Sequence, residues 1–268
     1  MKLSEAFVLL CAGTAGGLLS TVVSIASLVS YPVLLALGVP PLSANMTNTV
    51  SLVLTGAGSV ASSRPELAGE RDSVLRLAVV TALGGIAGAA VLLLAPASTF
   101  TAVAPVLIGG ASVVLFVQPR ITALAPRPDR RPDRRPDQRP DQAEAKDTTR
   151  RLVHLAGLFA VAVYVGYFGA AAGVLLLVVL SSMIAEPLVK VNAIKNAVSG
   201  AANGMASICF AIFGSVRWLF VGPLAAGFLI GGWLGPKIAR RVPSSALRTV
   251  VSLCGIGLAV KLGISAYH

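Results

Sequence analysis

The sequence predicts an all-α polytopic membrane protein made of two inverted repeats of about five helical segments each, with broken or short helices in each repeat. Three observations lead there. Hydrophobic residues make up 55% of the 268 positions and charged ones only 12%, a balance that suits lipid. The apolar runs are broken by glycine and proline, as in membrane helices that pack closely or unwind. The two halves match at a constant offset of 147: Pro40 with Pro187, Asn45 with Asn192, Gly110 with Gly257, and Gly84, Gly85 and Gly88 with Gly231, Gly232 and Gly235. A run of matches in the same segment order marks an internal repeat.

Residues 5–28 form an apolar segment interrupted by Gly13, Gly16 and Gly17, ending in a serine-rich patch that includes Ser20, Ser24 and Ser27. The apolar piece Tyr31 to Leu37 is closed by Gly38-Val39-Pro40-Pro41. It is too short to cross a bilayer, which takes about 20 helical residues. The two pieces read as a hairpin or a broken helix. Residues 42–62 form the next segment, with Asn45, Asn48, Thr49, Gly56 and Ser59 on one face. A loop carrying Arg64, Arg71 and Arg76 leads into spans at 73–95 and 99–117. The second half repeats this order: 152–168, a break at Gly169 to Gly173, a short piece from Val174 to Ile184, then 187–213, 218–239 and 245–266.

Between the halves, 118–151 differs in kind. Four RPD units run from Arg127 to Gln142, with proline at every fourth position and no apolar residue to bury. The expected domains are therefore 1–117 as first repeat, 118–151 as a disordered solubilising linker, and 152–268 as second repeat.

The net charge of +11 does not point to nucleic acid, because the basic residues gather in this linker and at a few loop ends. Such loops face the cytoplasm. Placing the Arg64–Arg76 loop, the linker and the Arg240–Arg241 turn there leaves five segments per half, an odd number. The second half is then inverted, and both termini lie outside a cytoplasmic (inner) membrane. The N-terminal stretch reads as a first membrane helix. Cys11, Cys209 and Cys254 share no metal-binding spacing and read as apolar packing residues. No cofactor is expected.

The stretch Ala185 to Gly204 carries the chemistry. Asn192, Lys195, Asn196, Ser199 and Asn203 fall within roughly one third of a helix circumference. A helix starting near Pro187 carries Lys195 about 12 Å inward, toward the middle of a ~30 Å hydrocarbon layer. A charge there faces a protein interior or a watery cavity, unless the side chain snorkels to the interface. The neighbouring amides favour the cavity. Short helices opening at the Ser20–Ser30 patch and at Gly169–Gly173 would aim their N-terminal N–H groups inward, where oxyanions bind. For Asn45 and Asn48 a hydrogen bond between helices and a ligand contact are equally compatible with the sequence. The Gly84–Gly88 and Gly231–Gly235 sets read as packing surfaces.

In their order and spacing these motifs resemble the sulfite exporter TauE/SafE family of membrane permeases. The first repeat has Tyr31-Pro32-Val33-Leu34-Leu35-Ala36-Leu37-Gly38, then Ala44-Asn45-Met46-Thr47-Asn48. The second has Gly166, Gly169 and Gly173, then Asn192-Ala193-Ile194-Lys195-Asn196, Asn203, and Gly214 to Trp218. The first break departs from the pattern, with Ser24-Ile25-Ala26-Ser27 in place of a glycine cluster. The resemblance implies movement of sulfite, sulfonates or thiosulfate. Together these readings give a transporter of small anions with Lys195, Asn192, Asn196, Asn203, Asn45, Asn48, Thr49, Ser24, Ser27, Gly169 and Gly173 as candidate substrate-binding residues. An intramembrane enzyme is disfavoured, since paired Asp, GxSxG with His and HExxH are missing from the chain. A membrane scaffold without substrate fits the apolar spans but gives no reason for a buried lysine.

Overall fold

A computed structural model describes residues 2–23, 25–124, 140–239, 256–257, 259–260 and 262–264. The described residues are helical and hold no strand. In the first half the helices are α1 (Leu3–Val23), α2 (Ser27–Ala36), α3 (Pro41–Ser62), α4 (Arg64–Leu67), α5 (Arg71–Leu94) and α6 (Ala97–Leu124). In the second they are α7 (Pro140–Tyr167), α8 (Ala172–Met183), α9 (Leu188–Phe213) and α10 (Trp218–Ala239). By length and composition α5, α9, 3–20 of α1 and 97–117 of α6 can cross a membrane. The expected all-α polytopic membrane fold is therefore present.

Several boundaries differ from expectation, each for a local reason. The first short helix begins at Ser27 rather than Tyr31. Pro32 lies inside it, past the first turn, where the missing N–H removes a backbone hydrogen bond from this short helix. The loop after α3 includes the single turn α4, with Pro65 in the first turn, where a missing N–H costs nothing. Helices reach into 118–151 from both sides, to Leu124 and from Pro140. Proline suits a helix start, and the Ala143–Lys146 stretch that follows is rich in helix formers. Most of the RPD repeat lies outside the described residues, as do Arg240 and Arg241.

The offset of 147 reappears in the backbone. Pro40 and Pro187 both cap the helix that follows them, with φ/ψ of −55°/145° and −56°/144°. At this offset α1, α2, α3 and α5 correspond to α7, α8, α9 and α10. The packing follows the same exchange: α1 packs on α10 as α7 packs on α5, and α10 packs on α3 as α5 packs on α9. The close contacts exchange in detail as well. A Cβ on Gly232 would touch Thr55, and one on Gly85 would collide with Ala202, which is the position equivalent to Thr55.

α3 and α9 cross at the centre. Ser43 bonds Ser215 at 2.9 Å, Ser207 donates to the Thr49 carbonyl at 3.1 Å, and Gly56 faces Gly200. The partner number falls as the α3 number rises, so the two helices are antiparallel. At the other end Lys190, in the first turn of α9, pairs with Glu70 at 2.8 Å and with Glu186 at 3.6 Å. The hydrogen bond from Lys190 holds the partly exposed Glu70 carboxyl below its ordinary range.

Polarity runs inside out relative to a water-soluble protein. Ser30, Asn45, Thr47, Asn48, Ser51 and Lys195 are buried. Leu75, Val79, Leu83, Val91 and Leu94 are exposed along one side of α5, as are Ile208 and Ile212 on α9. An apolar belt of this extent suits hydrocarbon and would be a liability in water.

Candidate functional site: a polar cavity between the repeats

The breaks between α1 and α2 and between α7 and α8 bring two helix starts to the α3–α9 crossing. The second break carries two left-handed residues. Gly169 has φ +71°, and Ala171 takes the left-handed conformation at φ 55°, immediately before α8. Gly169 closes α7 by donating its N–H to the Tyr164 carbonyl at 2.9 Å. A left-handed φ is cheap for glycine and costs an alanine about 1–2 kcal/mol. The chain thus stores a little strain where α8 begins, and strain of this kind gathers at functional sites.

A cavity of about 70 Å³ opens at these breaks. From α9 it is lined by Lys195, Asn196, Ser199, Gly200 and Asn203, and from α3 by Thr49, Leu52, Thr55, Gly56 and Ser59. Ser20, Ala26 and Ser27 line it at the first break; Phe168, Gly169, Ala172 and Gly173 do so at the second. The lining is itself repeated at the offset of 147: Thr49 with Asn196, Leu52 with Ser199, Gly56 with Asn203, Ala26 with Gly173. The α3 and α9 members of this lining occupy the middle turns of those helices. Lys195 is only 2% exposed, which argues against a side chain escaping to a distant interface.

Of the residues singled out from sequence, Lys195, Asn196, Asn203, Thr49, Ser27, Gly169 and Gly173 come together here. Asn45, Asn48 and Asn192 do not line the cavity, and Ser24 lies outside the described residues. Asn45 donates to the Tyr167 carbonyl at 2.9 Å, tying α3 to the end of α7. Asn48 accepts from Ser30 and donates to Ser27 at 3.1 Å. It thereby fixes a cavity-lining hydroxyl while spending its own amide. Asn203 donates to the Ser199 carbonyl at 3.0 Å. Ser20, Thr55 and Ser59 line the cavity although sequence reasoning did not select them as ligands. The signal for Ser59 was its face on α3; Thr55 carried none, because its equivalent in the second repeat is Ala202.

The arrangement supplies one lysine, several hydroxyl and amide groups, and two helix starts. Helix N-termini carry unpaired N–H groups and about half a positive charge. Among the described residues no acidic side chain lines the cavity. Such an interior suits a small anion. A second hollow, an open groove of about 740 Å³, lies on another face of α3 and α9, with Val53, Leu54, Val79, Met205 and Ile208 along it. It is apolar and suits lipid.

Fold and site together define a polytopic α-helical membrane protein with a polar, cation-bearing interior between two repeats. The family model for the sulfite exporter TauE/SafE matches residues 9–262, and the chain belongs to that family of membrane transporters. No curated protein and no solved structure matches it.

Proposed function

We propose that this protein is a permease for small anions, above all sulfur oxyanions or small organosulfonates, in the cytoplasmic membrane. The observation that carries the reading is Lys195, buried at the α3–α9 crossing in a cavity lined with hydroxyl and amide groups. A buried charge without function is costly in a membrane. In this reading Lys195 supplies the full positive charge. Asn196, Asn203 and Ser27 donate hydrogen bonds, Thr49 lines the cavity with its O–H turned to the Asn45 carbonyl, and the backbone at Gly169 and Gly173 approaches the oxyanion closely. Asn48 and Asn45 hold the lining in place. A cavity of about 70 Å³ has room for one compact anion or a few waters, and a bulky aromatic sulfonate would require it to widen.

The antiparallel α3–α9 pair and the exchange of helix contacts support two repeats inverted across the bilayer, a build that lets a central site open to either side in turn. The Arg64–Arg76 loop and 118–151 then lie in the cytoplasm and both termini lie outside. Cysteine labelling is expected to report an external residue at either end; a cytoplasmic C-terminus would overturn the inversion.

Uptake into vesicles holding the purified protein tests the function. Labelled sulfite or a small sulfonate should accumulate faster than in protein-free vesicles, while a neutral solute of similar size should not. Equal rates with and without protein, for every anion tried, would leave the scaffold reading in its place.

A further inference from the structure

We infer that the Thr55 hydroxyl is a substrate-facing hydrogen-bond group, which places a donor on the first repeat's side of the cavity. The inference rests on the permease reading above.

Thr55 is 4% exposed and lines the cavity. Its Oγ1 is buried and has no hydrogen-bond partner among the described residues. That departs from local habit. Other hydroxyls in these helices donate to the carbonyl one turn back: Thr49 to Asn45 at 2.9 Å, Ser51 to Thr47 at 2.7 Å, Ser112 to Ile108 at 2.8 Å. The same route would lead Thr55 to the Ser51 carbonyl, and Thr55 does not take it. The methyl group accounts for the orientation, since it is the atom nearest to a Cβ built on Gly232 of α10. Cγ2 therefore lies toward α10, and the residue lines the cavity with its hydroxyl off the Ser51 carbonyl.

The second repeat provides a control within the same chain. Ala202, the equivalent of Thr55, lies against Gly85, the equivalent of Gly232. Alanine therefore meets the demands of this helix contact, and packing does not require a hydroxyl there. Leaving a buried hydroxyl unpaired costs free energy. A bound oxyanion would supply the missing acceptor, so that cost is removed when substrate is present. Tyr31 and Ser181 also hold buried hydroxyls without partners among the described residues, but neither lines the cavity.

The test compares Thr55→Val, which keeps the shape and removes the hydroxyl, with Thr55→Ser, which keeps the hydroxyl. Sulfite binding to the full-length protein in detergent is measured by calorimetry, and thermal unfolding is measured without sulfite. Thr55→Val is expected to weaken sulfite binding about tenfold, in line with one lost hydrogen bond to an ion, with the ligand-free unfolding temperature unchanged or higher. Thr55→Ser should bind within about twofold of the parent protein. Two results would overturn the inference: normal sulfite binding by Thr55→Val, or a clear fall in its ligand-free unfolding temperature, which would make the hydroxyl structural. If the parent protein bound neither sulfite nor a small sulfonate, the permease reading would fail and this inference with it.

Discussion

Lys195→Ala is expected to leave the helical fold intact and to weaken sulfite binding by roughly ten- to a hundredfold, since charge-assisted hydrogen bonds contribute about 1.5–3 kcal/mol. The ammonium group sits at the crossing of the two central helices, where the surroundings are poorly solvated and a charge acts strongly. Removing it takes the only full cationic charge that the described residues give the cavity lining but leaves the hydroxyls, amides and helix starts. Dianions should lose more affinity than monoanions, because the lost Coulomb term scales with ligand charge. Lys195→Arg should restore binding only in part, as a planar fork does not replace a compact ammonium in a fitted space. Calorimetry with sulfite, paired with vesicle uptake, reads both effects. Undiminished binding in Lys195→Ala would move the site onto the helix ends and hydroxyls alone.

The largest structural effect is expected at Gly88. A Cβ there would collide with the Val163 carbonyl and stand 2.8 Å from the Tyr167 amide nitrogen. Both are main-chain atoms of α7, which cannot swing aside as a side chain can. Gly88→Val must push α5 off α7, at an expected cost of about 3 kcal/mol or more. That helix pair belongs to the scaffold that carries the second break, so little monodisperse protein should survive size-exclusion chromatography. Gly110→Ala is the matched control: nothing lies within 4 Å of its built Cβ, and alanine is the better helix former. A Gly88→Val protein as stable as the parent would mean that α5 and α7 pack less closely than the backbone contacts indicate.

The two experiments probe different halves of one design. Close contact through Gly84 and Gly88 against α7, and through Gly227 and Gly231 against α1, makes each pair of outer helices a tight unit. In lipid no hydrophobic drive holds helices together, so close van der Waals approach has to do it. The units leave the middle of α3 and α9 free to carry polar side chains. At the ends of this central pair the contacts differ in character. One end has the Lys190–Glu70 ion pair; the other has the Ser43–Ser215 bond and the Arg217 N–H donating to Thr47 at 3.0 Å. Arg217 is the equivalent of Glu70 at the offset of 147, so the same place in the fold is filled by opposite chemistry.

The sequence by itself determined the membrane class, the order of helices, the repeat and its offset, and Lys195 with its amide stripe. These are legible because lipid imposes length and polarity on each segment separately, and because a charge in an apolar run stands out without any knowledge of its neighbours. It also pointed to both breaks, since glycine, serine and proline act locally. Only the tertiary structure decided which polar residues share the cavity. Asn45 and Asn48 lie near Thr49 on one helix, yet they spend their amides on the Tyr167 carbonyl and on Ser27 and Ser30, while Thr49 reaches the lining. That division depends on what α2 and α7 place opposite each residue. Thr55 is the clearest case: its neighbours in sequence explain nothing about it, and its meaning comes from Gly232, 177 positions away, which fixes the side on which its methyl group lies.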